Sequence, residues 1–252
     1  MSAPFLEVDG VTKAFGHFIA VDDISLTLGE GEVTALIGPN GAGKTTLYNM
    51  VSGRLKPTSG TVRFRGREIS GLPPHRISRL GVSRSFQITN IFNELTVLEN
   101  VGVALVAHHD KGLKLWQVAK RDKTLADQGM ALLGRLGLDQ LAASRAGTIS
   151  YGDKRLLELA IVLATEPKLV LLDEPTAGMT PEETHGVVRL IRSLATTGPY
   201  TFFITEHDME VVFGLAQRIF VMHRGALLAA GTPDEIRSNR EVRTAYLGEE
   251  VD

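Results

Sequence analysis

Residues 33–50 read VTALIGPNGAGKTTLYNM, and they constrain the chain more than any other stretch. Val33–Ile37 is a short apolar run containing β-branched Val33, Thr34 and Ile37, which predicts a buried strand. Gly38, Gly41 and Gly43 then let the backbone take turns that side chains would forbid. Thr45–Met50 predicts a helix. The order strand, loop, helix, with Gly38, Gly43, Lys44 and Thr45 in the places of G-x-x-x-x-G-K-[ST], predicts an anion site. Successive backbone N–H groups and the positive end of the helix converge on one spot. Gly38, Pro39, Asn40, Gly41, Ala42, Gly43, Lys44, Thr45 and Thr46 are therefore candidate phosphate-binding residues. Lys44 would reach the β- and γ-phosphates, and the Thr45 hydroxyl would ligate Mg²⁺. A glycine turn that only caps a helix is the competing reading; the strand before it and the helix after it argue against that.

The second strong signal is LVLLDEP, Leu169–Pro175. An apolar strand ending in Asp173 delivers a carboxylate to the strand's C-terminal edge, where ligands bind in open α/β sheets. Asp173 is a candidate Mg²⁺ ligand. Glu174, one residue on, is placed to take a proton from an attacking water. Two solvated acids at a strand end would look the same in isolation; beside GPNGAGKTT they do not.

Composition narrows the partners. The chain has 252 residues, 43% hydrophobic and 22% charged, enough for a sizeable core. A formal net charge of -2 leaves no basic footprint for nucleic acid. Cysteine is absent, which removes disulfides and thiolate sites and fits a reducing compartment. The start, MSAPFLEVDG, lacks the pattern of a signal peptide, and no apolar run is long enough to span a membrane. Any membrane role is expected to come through a partner.

Along the chain, Phe5–Val8 and Ile24–Leu28 predict strands of an N-terminal sheet, separated by the turn KAFGHF. Phe15 or Phe18 in that turn could stack on a base, or could be a core aromatic. Thr61–Phe64 and Val82–Phe86 predict strands, and Leu72–Leu80 a short helix with proline in its first turn. Leu95–Val106 predicts a helix, with Thr96 and Glu99 at capping-box spacing. Asp110–Leu115 predicts a mobile connection, and Leu125–Leu136 a helix. Another helix opens at Ser150–Asp153, with Leu156, Leu157, Leu159, Ala160 and Leu163 on its inner side. Lys168–Leu172 predicts a buried strand and Tyr200–Ile204 a further strand. Pro181–Leu194 and Asp208–Leu215 predict helices, Arg218–Met222 with Ala226–Ala230 a hairpin, and Thr232–Glu235 the start of a terminal helix. The expected fold class is α/β: a phosphate-loop NTPase core with a mainly parallel sheet, N-terminal antiparallel strands and an inserted helical subdomain. The expected division is residues 1–87 and 166–252 for the core and 88–165 for the insert.

Through these motifs the chain resembles the ATP-binding subunits of ABC transporters, and within them the branched-chain amino acid importers. The resemblance runs through nearly the whole chain. KAFG sets Phe15, rather than Phe18, at the adenine-stacking place, and SFQ sets Gln87 at the Q-loop. ISYGD, Ile149–Asp153, stands where the signature LSGGQ belongs, and TEHD sets His207 at the switch histidine. EPTAGMTPEET and the terminal AYLGEE are typical of the branched-chain importer branch. The resemblance implies ATP and Mg²⁺ as cofactors, with Thr45, Gln87 and Asp173 at the metal and Glu174, His207, Lys44 and Gln87 in catalysis. It implies a head-to-tail pair, homodimeric or of two paralogues, in which each ATP lies between one phosphate loop and the other subunit's Ser150, Tyr151, Gly152 and Asp153. Transmembrane permease subunits, docked near Thr89–Val97, are implied partners, with a solute-binding protein reached indirectly and no nucleic acid. The implied location is the cytoplasmic face of the inner (plasma) membrane, peripherally bound. Tyr151 and Asp153 depart from the usual Gly and Gln of the signature, and Thr180 stands where many relatives carry Asp. A nucleic-acid or ribosome ATPase of the same class fits the charge poorly, and a module that only binds ATP has no need of Glu174 and His207.

Overall fold

Two sheets divide the strands of the computed structural model, which describes residues 4–85, 91–108 and 123–247. The larger has six strands in the order β10-β9-β3-β8-β7-β6. They are β3 (Val33–Ile37), β6 (Val82–Arg84), β7 (Leu169–Asp173), β8 (Thr201–Thr205), β9 (Arg218–His223) and β10 (Ala226–Gly231). All neighbours are parallel except the β9–β10 hairpin. The smaller sheet is antiparallel in the order β2-β1-β4-β5, from β1 (Leu6–Phe15), β2 (Phe18–Leu28), β4 (Ser59–Phe64) and β5 (Arg67–Glu68).

The large sheet is apolar on both faces, as parallel strands covered on both sides must be. Successive side chains point to opposite faces, so each strand feeds two separate cores. Val33, Ala35, Ile37, Val170, Leu172, Phe202 and Ile204 enter one. Leu36, Leu169, Leu171, Phe203 and Phe220 enter the other. The first core is closed by α3 (Val97–His108), α4 (Lys123–Arg135), α5 (Tyr151–Leu163), α6 (Pro181–Thr197) and α7 (Met209–Leu215). The second is closed by α1 (Lys44–Val51) and the antiparallel sheet, with α2 (Pro74–Arg79) contributing Ile77. Burying one such Phe or Leu side chain is worth about 1.5–3 kcal/mol.

The helices begin where side chains can satisfy their first N–H groups. Thr96 and Glu99 form the expected reciprocal pair, Glu99 N to Thr96 Oγ1 at 3.1 Å and Thr96 N to Glu99 Oε2 at 2.9 Å. Thr180 caps α6 in the same way with Glu183, and Thr232 caps α8 (Pro233–Ser238) with Glu235. Thr180, noted above for replacing an acid, is thus a helix cap, a task that Asp performs equally well.

Several expectations need adjustment. β1 and β2 are much longer than Phe5–Val8 and Ile24–Leu28, and the turn shrinks to Gly16–His17. Polar Lys13, Asp22 and Asp23 hid the strands: they lie on the solvent side, and register shifts at Val11 and Lys13 break the alternation. β6 ends at Arg84, and β8 runs on through Thr205. Between 91 and 165, among the described residues, the β pairing is one isolated bridge, Thr96 with Arg145. Phe86, Gln87, residues 89 and 90 of the expected docking stretch, Asp110–Leu115 and the GEE of the C-terminal phrase lie outside the described residues.

Candidate active site

The loop 38–46 leaves the C-terminal end of β3 and enters α1 through Gly43, whose φ of 101° is left-handed. A Cβ on Gly43 would stand 2.4 Å from the Ala20 carbonyl oxygen, and one on Gly38 would stand 2.2 Å from that of Met222. The loop is therefore held between the backbones of β2 and β9, and these two positions accept only glycine. Lys44 folds back over the loop, donating from Nζ to Gly38 O at 2.6 Å and Pro39 O at 3.1 Å. Burial lowers its pKa, and the charges of Glu174 and Asp173 work against that shift.

Asp173 ends β7 almost fully buried. Its Oδ1 accepts from the Thr205 hydroxyl at 2.6 Å, and its Oδ2 from Arg84 Nη2 at 2.7 Å. Arg84 also donates from Nη1 to Asn49 Oδ1 at 2.6 Å and covers the Tyr48 ring, so it joins β6, β7 and α1 at one point. Arg84 is not among the site residues expected from the sequence. A lone cation inside a predicted strand was the available signal.

Glu174 sits at φ 50°, an uncommon left-handed position for a residue with a side chain. Its N–H donates to Thr205 O at 3.0 Å. Its Oε1 lies 2.7 Å from His207 Nε2. A second carboxylate, Glu206, is buried beneath them. It accepts from Thr176 N at 2.9 Å, Thr176 Oγ1 at 2.6 Å and His207 N at 3.2 Å. Glu206 thereby ties the loop after Glu174 to the segment carrying His207, and it too was missed.

A cleft of about 270 Å³ opens over these groups, lined by residues 40–46, Asp173, Glu174, His207 and Phe18. Lys44, Thr45, Asp173, Glu174 and His207 are thus brought together. Phe15 pairs with Phe18 across the hairpin, but it is Phe18 that borders the cleft. Lys13 Nζ lies over the Phe15 ring at 5.1 Å. Gln87 lies outside the described residues.

Thr45 and Asp173 offer only hard oxygen donors, which suits Mg²⁺. Among the described residues no group of three or more His, Cys, Asp or Glu could hold an ion alone. Such a sparse donor set fits an ion carried in with phosphates.

Ser150–Asp153 do not line this cleft. Ser150 caps α5: its hydroxyl accepts from Asp153 N at 3.1 Å and donates to Asp153 Oδ2 at 2.7 Å. Tyr151 is half-exposed, and its hydroxyl donates to Ala177 O at 3.3 Å. Gly152 lies against the α6 cap, where a Cβ would stand 2.5 Å from Glu183 Oε1.

Residues 21–177 match the family model described as ABC transporter, and residues 226–252 match that of the branched-chain amino acid ATP-binding cassette transporter. The high-affinity branched-chain amino acid transport ATP-binding protein LivG of Salmonella typhimurium is 44% identical, covering 99% of this chain and 100% of its own. Its counterpart BraF of Pseudomonas aeruginosa is 41% identical at the same coverage. The crystal structure of the ADP conformation of an ATP-binding cassette from an ABC transporter superposes with a TM-score of 0.87. It is 31% identical and covers 98% of this chain and 100% of that one.

Proposed function

From the membership of this chain in the ABC transporter family of ATP-binding subunits, in the branch that serves branched-chain amino acids, we propose that it drives import of those amino acids through a permease. It is an ATPase, and the roles of its residues follow from the cleft. The observation that carries the reading is the Glu174–His207 pair, 2.7 Å apart at the edge of a phosphate loop. Glu174 is the proposed base for the attacking water, and His207 orders that water or contacts the γ-phosphate. The backbone of Gly38–Thr46 and the Lys44 cation hold the phosphates, which Lys44 reaches by leaving the carbonyls of Gly38 and Pro39. Thr45, Asp173 and Gln87 would hold Mg²⁺, which supplies neutralising charge when bound. Adenine stacks on the hairpin tip, with Phe15 the ring chosen by family resemblance.

Two subunits pair head to tail in this proposal, so that Ser150 and the N–H groups opening α5 meet the partner's ATP. Their exclusion from this chain's own cleft supports that arrangement. Residues 88–165 act as a helical subdomain between the core segments 1–87 and 166–252. Among the described residues no helix is long and apolar enough to cross a membrane. By family resemblance the subunit would sit on the cytoplasmic face against its permease. The stretch up to Val97 is the proposed docking surface. Its backbone is pinned by buried Asn100, which accepts from Phe92 N at 2.8 Å and donates to Phe92 O at 3.1 Å, leaving the Phe92 ring exposed.

Glu174→Gln tests the assignment. It keeps the phosphate cradle and removes the base, so nucleotide affinity holds while hydrolysis falls by about 10²–10⁴-fold. ATP should then trap the variant as a dimer. Wild-type phosphate release from this variant would remove Glu174 from the chemistry.

A further inference from the structure

Tyr151 stands where the signature usually has glycine, and its side chain turns away from the opening of α5. Its hydroxyl reaches the Ala177 carbonyl, and its ring lies against Gly178, where a Cβ would stand 3.3 Å from Cε1. Gly178 has φ 77°, so a side chain there would be strained and would also press on the Tyr151 ring. Ala177 and Gly178 belong to the loop that leaves Glu174. Arg155 braces the ring from one turn further along α5, its guanidinium 5.3 Å from the ring centroid. Arg155 is held in turn by Glu158, Nη1 to Oε2 at 3.0 Å, with both side chains largely buried. That pair lines a cavity of about 30 Å³ together with Ser85, Asp173 and Pro175. The start of the signature helix is therefore tied through Tyr151 to the segment that bears Glu174, with the Arg155–Glu158 pair supporting the ring from behind.

We propose that Tyr151 is a positioning residue that transmits the seating of the partner subunit's ATP on the signature helix to this subunit's own Glu174. The proposal rests on the head-to-tail pairing put forward above. A phosphate arriving at Ser150 and Gly152 pulls on the first turn of α5. Tyr151 lies in that turn, so the pull reaches Ala177–Gly178 and from there the backbone of Glu174. Hydrolysis at one site then depends on occupancy of the other, without any residue of α5 touching the first site's water.

Tyr151→Phe tests this, because it keeps the ring over Gly178 and removes only the bond to Ala177. The latch predicts that kcat falls about two- to tenfold, the scale of one hydrogen bond, while half-saturating ATP moves by less than about twofold. Arg155→Lys, which keeps the charge but loses the flat group over the ring, should shift kcat in the same direction with the melting temperature held. Unchanged kcat in Tyr151→Phe overturns the latch. A raised half-saturating ATP at full kcat also overturns it, since the phenol would then be serving nucleotide binding. Dimerisation of Glu174→Gln in ATP separates the two ideas. If that variant stays monomeric, the pairing fails and the latch with it. If it dimerises while Tyr151→Phe turns over like wild type, the pairing stands and the latch alone is lost.

Discussion

Arg84 and Asp173 are 89 residues apart in the chain, yet Nη2 and Oδ2 meet at 2.7 Å with both side chains under a tenth exposed. Asp173 is also the proposed metal ligand, so Arg84 orients a carboxylate whose free lone pairs must face the cleft. Removing one member of a buried pair strands the other charge, which costs about 3–5 kcal/mol. Arg84→Met should lose that much stability in urea unfolding. A loss under about 1 kcal/mol would mean that Thr205 alone holds Asp173.

The hairpin tip offers two rings to a base. Losing one stacking face costs roughly 1–3 kcal/mol of affinity. Phe15→Ala should show that loss in nucleotide titration, because Lys13 covers one face of the ring and leaves the other open. If Phe18→Ala carries the loss instead, the aromatic that borders the cleft is the stacking residue and the resemblance misplaced it by one side of the turn.

Asp153 directs its carboxylate at the Ser150 hydroxyl, at the spot where a partner's phosphates are proposed to arrive. Two unit charges about 8 Å apart repel by roughly 2 kcal/mol at an effective dielectric near 20, before screening. At a part-exposed position the surviving effect is nearer 0.2–1 kcal/mol. Asp153→Gln should thus lower half-saturating ATP by about 1.4- to fivefold at low salt, with the gap closing as salt rises. An unchanged curve would leave Asp153 as a first-turn helix residue.

Glu158 has its pKa raised by burial, with Arg155 pulling it back in part. The folded state therefore takes up this proton at a higher pH than the unfolded chain, whose value is 4.5. As pH falls through the folded value, the native state gains a proton first and is stabilised; the gain is complete below the unfolded value. Melting temperatures of wild type and Glu158→Gln, compared from neutral pH downwards, should move in favour of wild type over that window. A constant difference would show that Glu158 titrates alike in both states.

Local order and the placing of the motifs were legible; partners lying outside the motifs were not. β3 has the predicted bounds Val33–Ile37, and the Thr96–Glu99 cap forms as its spacing implies, because both depend on neighbours within a few residues. The Gly38–Thr46 loop, Asp173, Glu174 and His207 converge because motif order encodes their place at strand ends. Arg84 and Glu206 went unassigned because their partners are distant in sequence, and neither leaves a periodic trace. The span of β1 and β2 was lost for another reason: polar residues on an outer sheet face look like loop.

The carbonyls of Ala20 and Met222, pressed against Gly43 and Gly38, bear on how far this chain can be trimmed. A fragment lacking the first hairpin would keep nearly every group assigned to the phosphates and lose the rail on which Gly43 turns. One ending before β9 would lose the opposite rail. Residues that touch no ligand thus set the shape of the cradle, and the smallest nucleotide-binding unit must reach from the first antiparallel hairpin to the last parallel strand.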